Sequence, residues 1–339
     1  MAGIKDVAKL AGVSVGTVSK YLNTPQGLKE DTRRKVEDAI EKLQYKPNPL
    51  ARSMRTGRTD TIAVIVPDIG NPFFAEVYNA IRLASVSKGY TPILYTTEDD
   101  PDALKTCLES ISIHKIDGMI LCFVEEDEII EEYIKNVRSN IPIVLFSRDI
   151  SNIRSNCIVI DVFEGVGKST GHLISLGHKN IAYVGGDEKN KVSRQKFSGY
   201  LKALRDAGLK TGHVCHGNFD LRTGYFAARE LLMLPEVPTA IVAESDIIAI
   251  GCMKYLLQKG VKIPDDMAVI GFDNIDLSSM YEPSLSTISL PIRNMGEEAL
   301  KLLLESMNNT SAKSRLIVMN SELIIRNSTD KSIPVQFYL

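Results

Sequence analysis

IKDVAKLAGVSVGTVSKYLN, residues 4–23, sets the architecture of the chain's beginning. Its apolar positions recur at three- and four-residue spacing, which predicts helices over about 5–11 and 15–22. Between them stands Gly12-Val13-Ser14: the glycine suits the left-handed position that ends a helix, and the serine suits the N-cap of the next. Two helices joined by so short a turn read as a helix-turn-helix. A third helix is expected over about 32–43, with Val7, Leu10, Val18, Leu22, Val36, Ile40 and Leu43 as a miniature core. Val15, Gly16, Ser19 and Lys20 then share the opposite face of the second helix. Small side chains there admit close approach to base edges in a major groove, and Lys20 has the reach to donate to guanine O6 or N7. Ser14, Thr17 and Asn23 complete the candidate DNA-contacting set around that helix.

The next segment, PNPLARSMRTGRTD (residues 47–60), starts with prolines and predicts one short helix over about 49–55. A helix of that length is not stable alone. It folds against DNA or a partner copy, and whatever positions its ends switches it. Met54, between Arg52 and Arg55, is a candidate minor-groove wedge with the arginines on phosphates. The charge distribution agrees: residues 1–60 carry 12 Lys/Arg against 7 Asp/Glu, and the remainder 28 against 35, beneath an overall charge of −2. A basic small domain on an acidic large one points the first at a polyanion.

From Thr61 onward, apolar runs of strand length alternate with helical patterns. TIAVIV, PILYTT, GMILCF and PIVLF are separated by helices expected over about 74–88, 102–114 and 126–140. CIVI, NIAYVG, TAIVA and MAVIGF follow, with helices over about 164–176, 194–207 and 247–259. Continuous apolar strands fit parallel sheets covered on both faces, and such sheets bind ligands at the carboxyl ends of their strands. Those ends nominate an effector site: Asp68, Phe73, Phe74, Ser147, Arg148 and Asp273, with Arg194, Phe219 and Asp246 from connecting segments. Carboxylates, planar donors and aromatic faces suit a polyhydroxylated ring. Arg148 and Arg194 together also suit a carboxylate or phosphate, so acidic sugars and sugar phosphates stay open.

Other patterns lead elsewhere. GVGKST (165–170) mimics a phosphate loop, but Val162 stands where the motif needs glycine, and the formal GxSxG around Ser169 falls within a helical pattern. His213, Cys215 and His216 crowd together, but that spacing in a strand points them to different faces, so no metal site, catalytic residue or cofactor is expected. The cysteines Cys107, Cys122, Cys157, Cys215 and Cys252 are scattered, as reduced packing residues are. With no apolar run of about 18 residues and no secretory signal at the start, a cytoplasmic chain without a membrane role is expected. A stand-alone sugar-binding protein is the competing reading, and it leaves the basic start without a purpose.

The stretches quoted above, together with NPFFAEV, LGHKNIAYVGG, VIGFDN and PSLSTI, resemble the lactose-repressor/galactose-repressor family from Ile4 to about Ser328. The resemblance implies an N-terminal all-α helix-turn-helix DNA-binding domain (1–46) and a hinge helix with linker (47–60). It implies a type I periplasmic-binding-protein-like α/β core of two doubly wound parallel-sheet subdomains, 61–160 with 291–319 and 161–290 with 320–330, then a tail (331–339). Near residues 290–292 the chain would cross back, giving the first subdomain a helix over about 293–307. Val15, Gly16 and Lys20 match base-reading positions, Met54 the place of a leucine wedge, and Arg194, Phe219 and Asp273 effector-contacting positions. Lysine at 20, where arginine is common, and methionine at 54 are departures. A repressor follows, working as a homodimer on double-stranded, pseudo-palindromic operator DNA and answering to a small-molecule effector, a sugar or sugar derivative. The tail KSIPVQFYL carries no heptad, so no tetramer-forming extension is expected.

Overall fold

The computed structural model describes residues 2–23, 25–46, 53, 57–113, 115–123, 131–132, 134–136, 141–147, 155–308 and 313–334. The chain divides into two compact units, Met1–Thr59 and Asp60–Leu339.

In the small unit, α1 (Ile4–Ala11), α2 (Val15–Asn23) and α3 (Glu30–Leu43) surround Val7, Ala8, Ala11, Val18, Val36 and Ala39. Gly12 ends α1 at φ 65°, a conformation that costs a residue with a Cβ, and Val13 N–H closes the turn onto the Ala8 carbonyl at 3.0 Å. Ser14 caps α2, its Oγ accepting from Thr17 N–H at 3.1 Å. Leu22, Ile40 and Leu43 pack on this core, but Leu10 is 52% exposed. Helix α1 buries positions 7, 8 and 11, which turns residue 10 to its outer edge and gives Ala8 the place expected for Leu10.

The large unit holds two parallel sheets. The first runs in the order β11 (Leu316–Met319), β5 (Asn156–Ile160), β4 (Ile143–Phe146), β3 (Gly118–Cys122), β1 (Thr61–Val66), β2 (Thr91–Thr96). The second runs β7 (Val214–His216), β6 (Ile181–Gly185), β8 (Ala240–Ala243), β9 (Ala268–Ile270). Every neighbouring pair in both is parallel. A short antiparallel pair, β10 (Thr287–Ser289) with β12 (Glu322–Ile324), lies where the chain passes between the sheets.

Strand burial explains the continuous apolar runs. Ile62, Val64 and Val66 of β1 face α4 (Pro72–Ser87), while Ala63 and Ile65 face α5 (Pro101–Ile113), so both faces need apolar residues. The edge strands β2 and β11 are only half-buried, and Pro92 sits on the edge strand β2, which tolerates a missing N–H. The second sheet is covered by α6 (Val162–Ser175), α7 (Lys191–Asp206), α8 (Leu221–Leu231) and α9 (Asp246–Gln258). After the short α10 (Asp276–Met280), α11 (Ile292–Asn308) packs on α4 of the first sheet.

Helices begin where caps place them. Asn71 accepts from Phe73 N–H and Pro72 opens α4, and Asn190 accepts from Val192 and Ser193 N–H to start α7 three residues before its expected position. The GVGKST stretch lies inside α6, with Ser169 and Thr170 buried and bonded to the Val166 carbonyl and Lys168 bonded to the Ser321 carbonyl, so no phosphate loop or exposed nucleophile forms. Most of the helix expected over 126–140 falls outside the described residues. Among the described residues, no helix is long and apolar enough to cross a membrane.

Candidate DNA-reading helix and effector crevice

Helix α2 buries Val18 completely, and that side fixes the opposite one. Val15 (40% exposed), Gly16 and Lys20 stand outward, Ser19 and Thr17 are half-buried, and Thr17 is tied to Ser14 through both its N–H and its hydroxyl. A Cβ on Gly16 would meet only Ser14 Oγ, at an ordinary 3.6 Å, so the fold itself does not demand glycine there. The result is a shallow face with one long cation, Lys20. The side chain of Asn23, and Arg52, Met54 and Arg55 altogether, lie outside the described residues.

In the large unit, the expected effector-site residues stand on both sheets' sides. On the first sheet's side, Phe73 and Phe74 form a triangle with Phe123, ring centroids 5.2 to 5.3 Å apart, and Phe123 reaches Phe146 at 6.0 Å. Phe123, read as strand in the sequence, leaves β3 at φ 56° and turns its ring into this cluster. Asp68 is exposed and accepts from Gly70 N–H at 2.7 Å. Ser147, at φ 65°, lines a 520 Å³ cavity with Asp161, Phe163, Lys191 and Gln195. Arg148 lies outside the described residues.

On the second sheet's side, Asp273 is buried at the end of β9, with φ 118° and its N–H bonded to the Ile288 carbonyl at 2.9 Å. Burial, with the charges of Glu76 and Glu244 adding to it, pushes its carboxyl up to about 7 against the pull of the Lys196 ammonium. Lys196, only 5% exposed, donates to the Glu244 carbonyl at 2.8 Å and sits 3.9 Å from the centroid of the Phe272 ring. The Phe219 ring lies so close over Gly186 that a Cβ there would approach it to 2.5 Å.

Two expected contacts sit differently. Arg194 is exposed and turns its guanidinium to the carbonyls of Glu188 and Lys189. Lys196, two residues on and therefore on the other side of α7, is a cation that acts on the Asp273 charge. Asp246 is fully buried with both oxygens engaged, accepting from Thr287 Oγ1 at 2.5 Å and from Ile275 N–H at 3.0 Å. Burial first, then the nearby Asp273, holds its carboxyl well above the ordinary range, which makes it a brace beneath the crevice rather than a group open to it. Arg326 anchors the same corner through Ser278, the Leu285 carbonyl and Asn274.

Glu76 joins the two sides. It projects from α4 of the first sheet and accepts from Asp276 N–H of the second at 3.1 Å. Its burial, together with the Asp276 charge, raises its carboxyl to about 7, although the hydrogen bond from Asp276 N–H opposes the rise. Sequence reasoning passes over Lys196, Glu76, Glu244 and Phe123. Asn190 is the signal that could have found the first of them: as the cap of α7 it sets the helix phase, which puts Lys196 in the second turn on the buried side that Ser193 and Tyr200 share. Away from the crevice, His213 Nε2 meets Glu230 at 2.6 Å with Cys215 beside them, while His216 turns the other way to Glu188 at 3.2 Å.

Residues 3–48 match the bacterial regulatory proteins of the lacI family, and residues 59–327 match the periplasmic binding proteins and sugar binding domain of the LacI family. The HTH-type transcriptional repressor PurR of Mannheimia succiniciproducens is 35% identical over 333 residues, spanning 98% of this chain and 99% of that one. A complex of the transcriptional regulator CelR with cellobiose aligns at TM-score 0.73 and 27% identity, over 97% of this chain and 100% of that one. A lac repressor dimer bound to operator and an anti-inducer shares the fold at TM-score 0.86 and 24% identity, over 97% and 99%. With the helix-turn-helix matched in one unit and the ligand-binding core in the other, the chain belongs to the LacI family of bacterial regulatory proteins.

Proposed function

We propose that this protein is a repressor that reads operator DNA through α2 and answers to a small polar effector, a sugar or sugar derivative, in the crevice between its two parallel sheets. The observation that carries the reading is the buried Asp273 at the carboxyl end of the second sheet, with the buried Lys196 ammonium acting on its charge and the Phe219 ring lying over Gly186 at the end of the neighbouring strand. A cation, a carboxylate and an aromatic face at a strand-end crevice bind a hydroxyl-rich ring by directed hydrogen bonds and by stacking on its C–H face. The cellobiose complex of a relative supports a sugar.

In this reading residues 1–46 bind DNA and 47–60 form the hinge. Residues 61–160 with 291–319, and 161–290 with 320–330, are the two effector-binding subdomains. Val15, Gly16 and Lys20 meet base edges, with Ser14, Thr17, Ser19 and Asn23 beside them, and Met54 with Arg52 and Arg55 engages the minor groove between half-sites. The protein acts as a homodimer, because a two-fold dimer reads a pseudo-palindrome. Effector binding changes the angle between the subdomains, moves the hinge attachment at Thr61, and so shifts operator affinity.

The test is fluorescence anisotropy on a genomic fragment library at fixed salt, repeated with a panel of sugars, sugar derivatives and nucleosides. The expected result is one pseudo-palindrome whose affinity shifts with one compound. Tight binding of a compound without sequence-specific DNA binding supports a sugar-binding protein instead.

A further inference from the structure

The second sheet's carboxyl end holds a group that the fold does not use up. Glu244, at the end of β8, is 0% exposed. Its Oε2 accepts from Gly186 N–H at 2.7 Å and from the Tyr183 hydroxyl at 3.3 Å, which fixes the carboxylate across the ends of β6 and β8. Its Oε1 is buried and has no hydrogen-bond partner among the described residues. Ser193, 3% exposed on α7, leaves a second buried oxygen, Oγ, in the same condition. Ser193 stands three residues before Lys196 and so on the same side of α7, and Lys196 bonds the Glu244 carbonyl. Of these two orphaned oxygens, that of Glu244 belongs to a residue that bonds Lys196, bonds the Gly186 N–H beneath the Phe219 ring and acts on the charge of Asp273. A buried acceptor without a donor is costly, and a site that leaves one open is built for a donor from outside.

The charges around it narrow what that donor belongs to. Asp273, from the loop after β9, feels both Glu244 and Glu76, and Asp276 stands against Glu76. Among the described residues, Lys196 is the cation whose charge acts on Asp273, and it is already engaged by the Glu244 carbonyl and the Phe272 ring. Arg194 is spent on its own loop, and Arg326 on Ser278, Leu285 and Asn274. An incoming anion would face these carboxylates, whereas O–H and N–H groups would find acceptors.

We propose that Glu244 is the specificity-determining residue of the crevice: its Oε1, with Ser193 Oγ on α7 as a second open oxygen, takes a hydrogen bond from the effector and selects a donor-rich small molecule that carries no negative charge. Uronic acids and sugar or nucleoside phosphates are excluded. The inference rests on the crevice being the effector site.

The experiment is a melting-temperature screen of the full-length protein against matched sets: neutral pentoses, hexoses, disaccharides and nucleosides, the amino sugars, and the corresponding uronic acids and phosphates. Inorganic phosphate and sulfate are added as bare anion probes. Neutral or amino compounds supply the hits, each phosphorylated or oxidised counterpart binds at least roughly tenfold more weakly, and inorganic phosphate gives no stabilisation. Glu244→Gln keeps an acceptor for Gly186 N–H but turns the open oxygen into a donor. It therefore weakens the best hit roughly tenfold or more, and Ser193→Ala weakens it less. An anion that binds better than its neutral parent, stabilisation by inorganic phosphate, or unchanged affinity in Glu244→Gln overturns the proposal. A neutral ligand that binds through Glu244 yet leaves operator affinity unchanged sinks the regulatory reading and spares this one; an anionic ligand that shifts operator affinity does the reverse.

Discussion

Replacing Asp273 with asparagine should stabilise the large unit at neutral pH and leave it little changed in acid. Asp273 is raised from an ordinary 3.8 to about 7, first by burial, then by Glu76 and Glu244, with Lys196 opposing. Beneath it, Asp246 is held well above the ordinary range as well. In the folded protein the carboxyl therefore keeps its proton between about pH 4 and 7, where the unfolded chain has lost it, so stability falls as pH rises through that window and levels off above it. Below the unfolded value the penalty is absent. Between pH 5 and pH 7 the shift corresponds to about 3 kcal/mol at 1.36 kcal/mol per pH unit, and relaxation of Lys196 and of the neighbouring carboxyls reduces that to about 2 kcal/mol. Asparagine carries no such charge. Any pH-independent cost of the substitution cancels when the difference between variant and wild type is compared at the two pH values. For a unit of this size, about 2 kcal/mol is roughly 3 to 4 °C in melting temperature. Calorimetric melts of both proteins at pH 5 and pH 8 should show the variant gaining by that amount at the higher pH while it loses effector binding. A difference that is flat with pH, or that grows toward acid, would refute the electrostatic account of the crevice.

Two further substitutions test the small unit. Lys20→Ala should weaken the best operator by about 1 to 3 kcal/mol and relax preference at one base pair in a binding-site selection; an equal loss on all DNA would mean that Lys20 holds a phosphate instead. Val18→Ala leaves a cavity under a fully buried side chain, costing the helix-turn-helix about 2 kcal/mol, which hydrogen exchange of the α1–α2 amides reads directly. Exchange unchanged there would place the unit's stability outside its core.

What can be read from the sequence is what local physics dictates. Gly12 and Ser14 announce the turn between α1 and α2, and strands buried on both faces announce themselves as unbroken apolar runs. Helix α8 escapes such a reading because it buries Gly224, Ala227 and Ala228 with Leu231 and exposes Leu221 and Phe226, so close packing of small residues replaces the apolar stripe. A Cβ on Gly224 would collide with the Ile248 carbonyl on α9, which shows how near the two backbones come. The strands β10 and β12 have three residues each, too few for a period. In the crevice, strand ends point to Phe73, Phe74, Ser147 and Asp273. They do not point to Lys196 and Glu76, because a charged residue in a helix reads as solvated until tertiary packing buries it, whereas Glu244 directly follows β8 and stands where the same strand-end rule could have nominated it.

Those buried charges connect the fold to its response. Glu76 on one side accepts from Asp276 N–H on the other, and Asp273 lies within reach of the fields of both Glu76 and Glu244. This arrangement therefore gathers carboxyls that repel one another, together with an acceptor left open. A ligand shifts the balance between two arrangements only by the difference in its affinity for them. A donor-rich molecule that bonds Glu244 gains those contacts only when both sides of the crevice are together, because Glu76 and Phe73 come from the first sheet's side and Glu244 and Phe219 from the second. The repulsion that weighs on Asp273 opposes this arrangement in the empty protein, an uncharged effector adds nothing to it, and an asparagine at 273 is expected to favour the arrangement without effector.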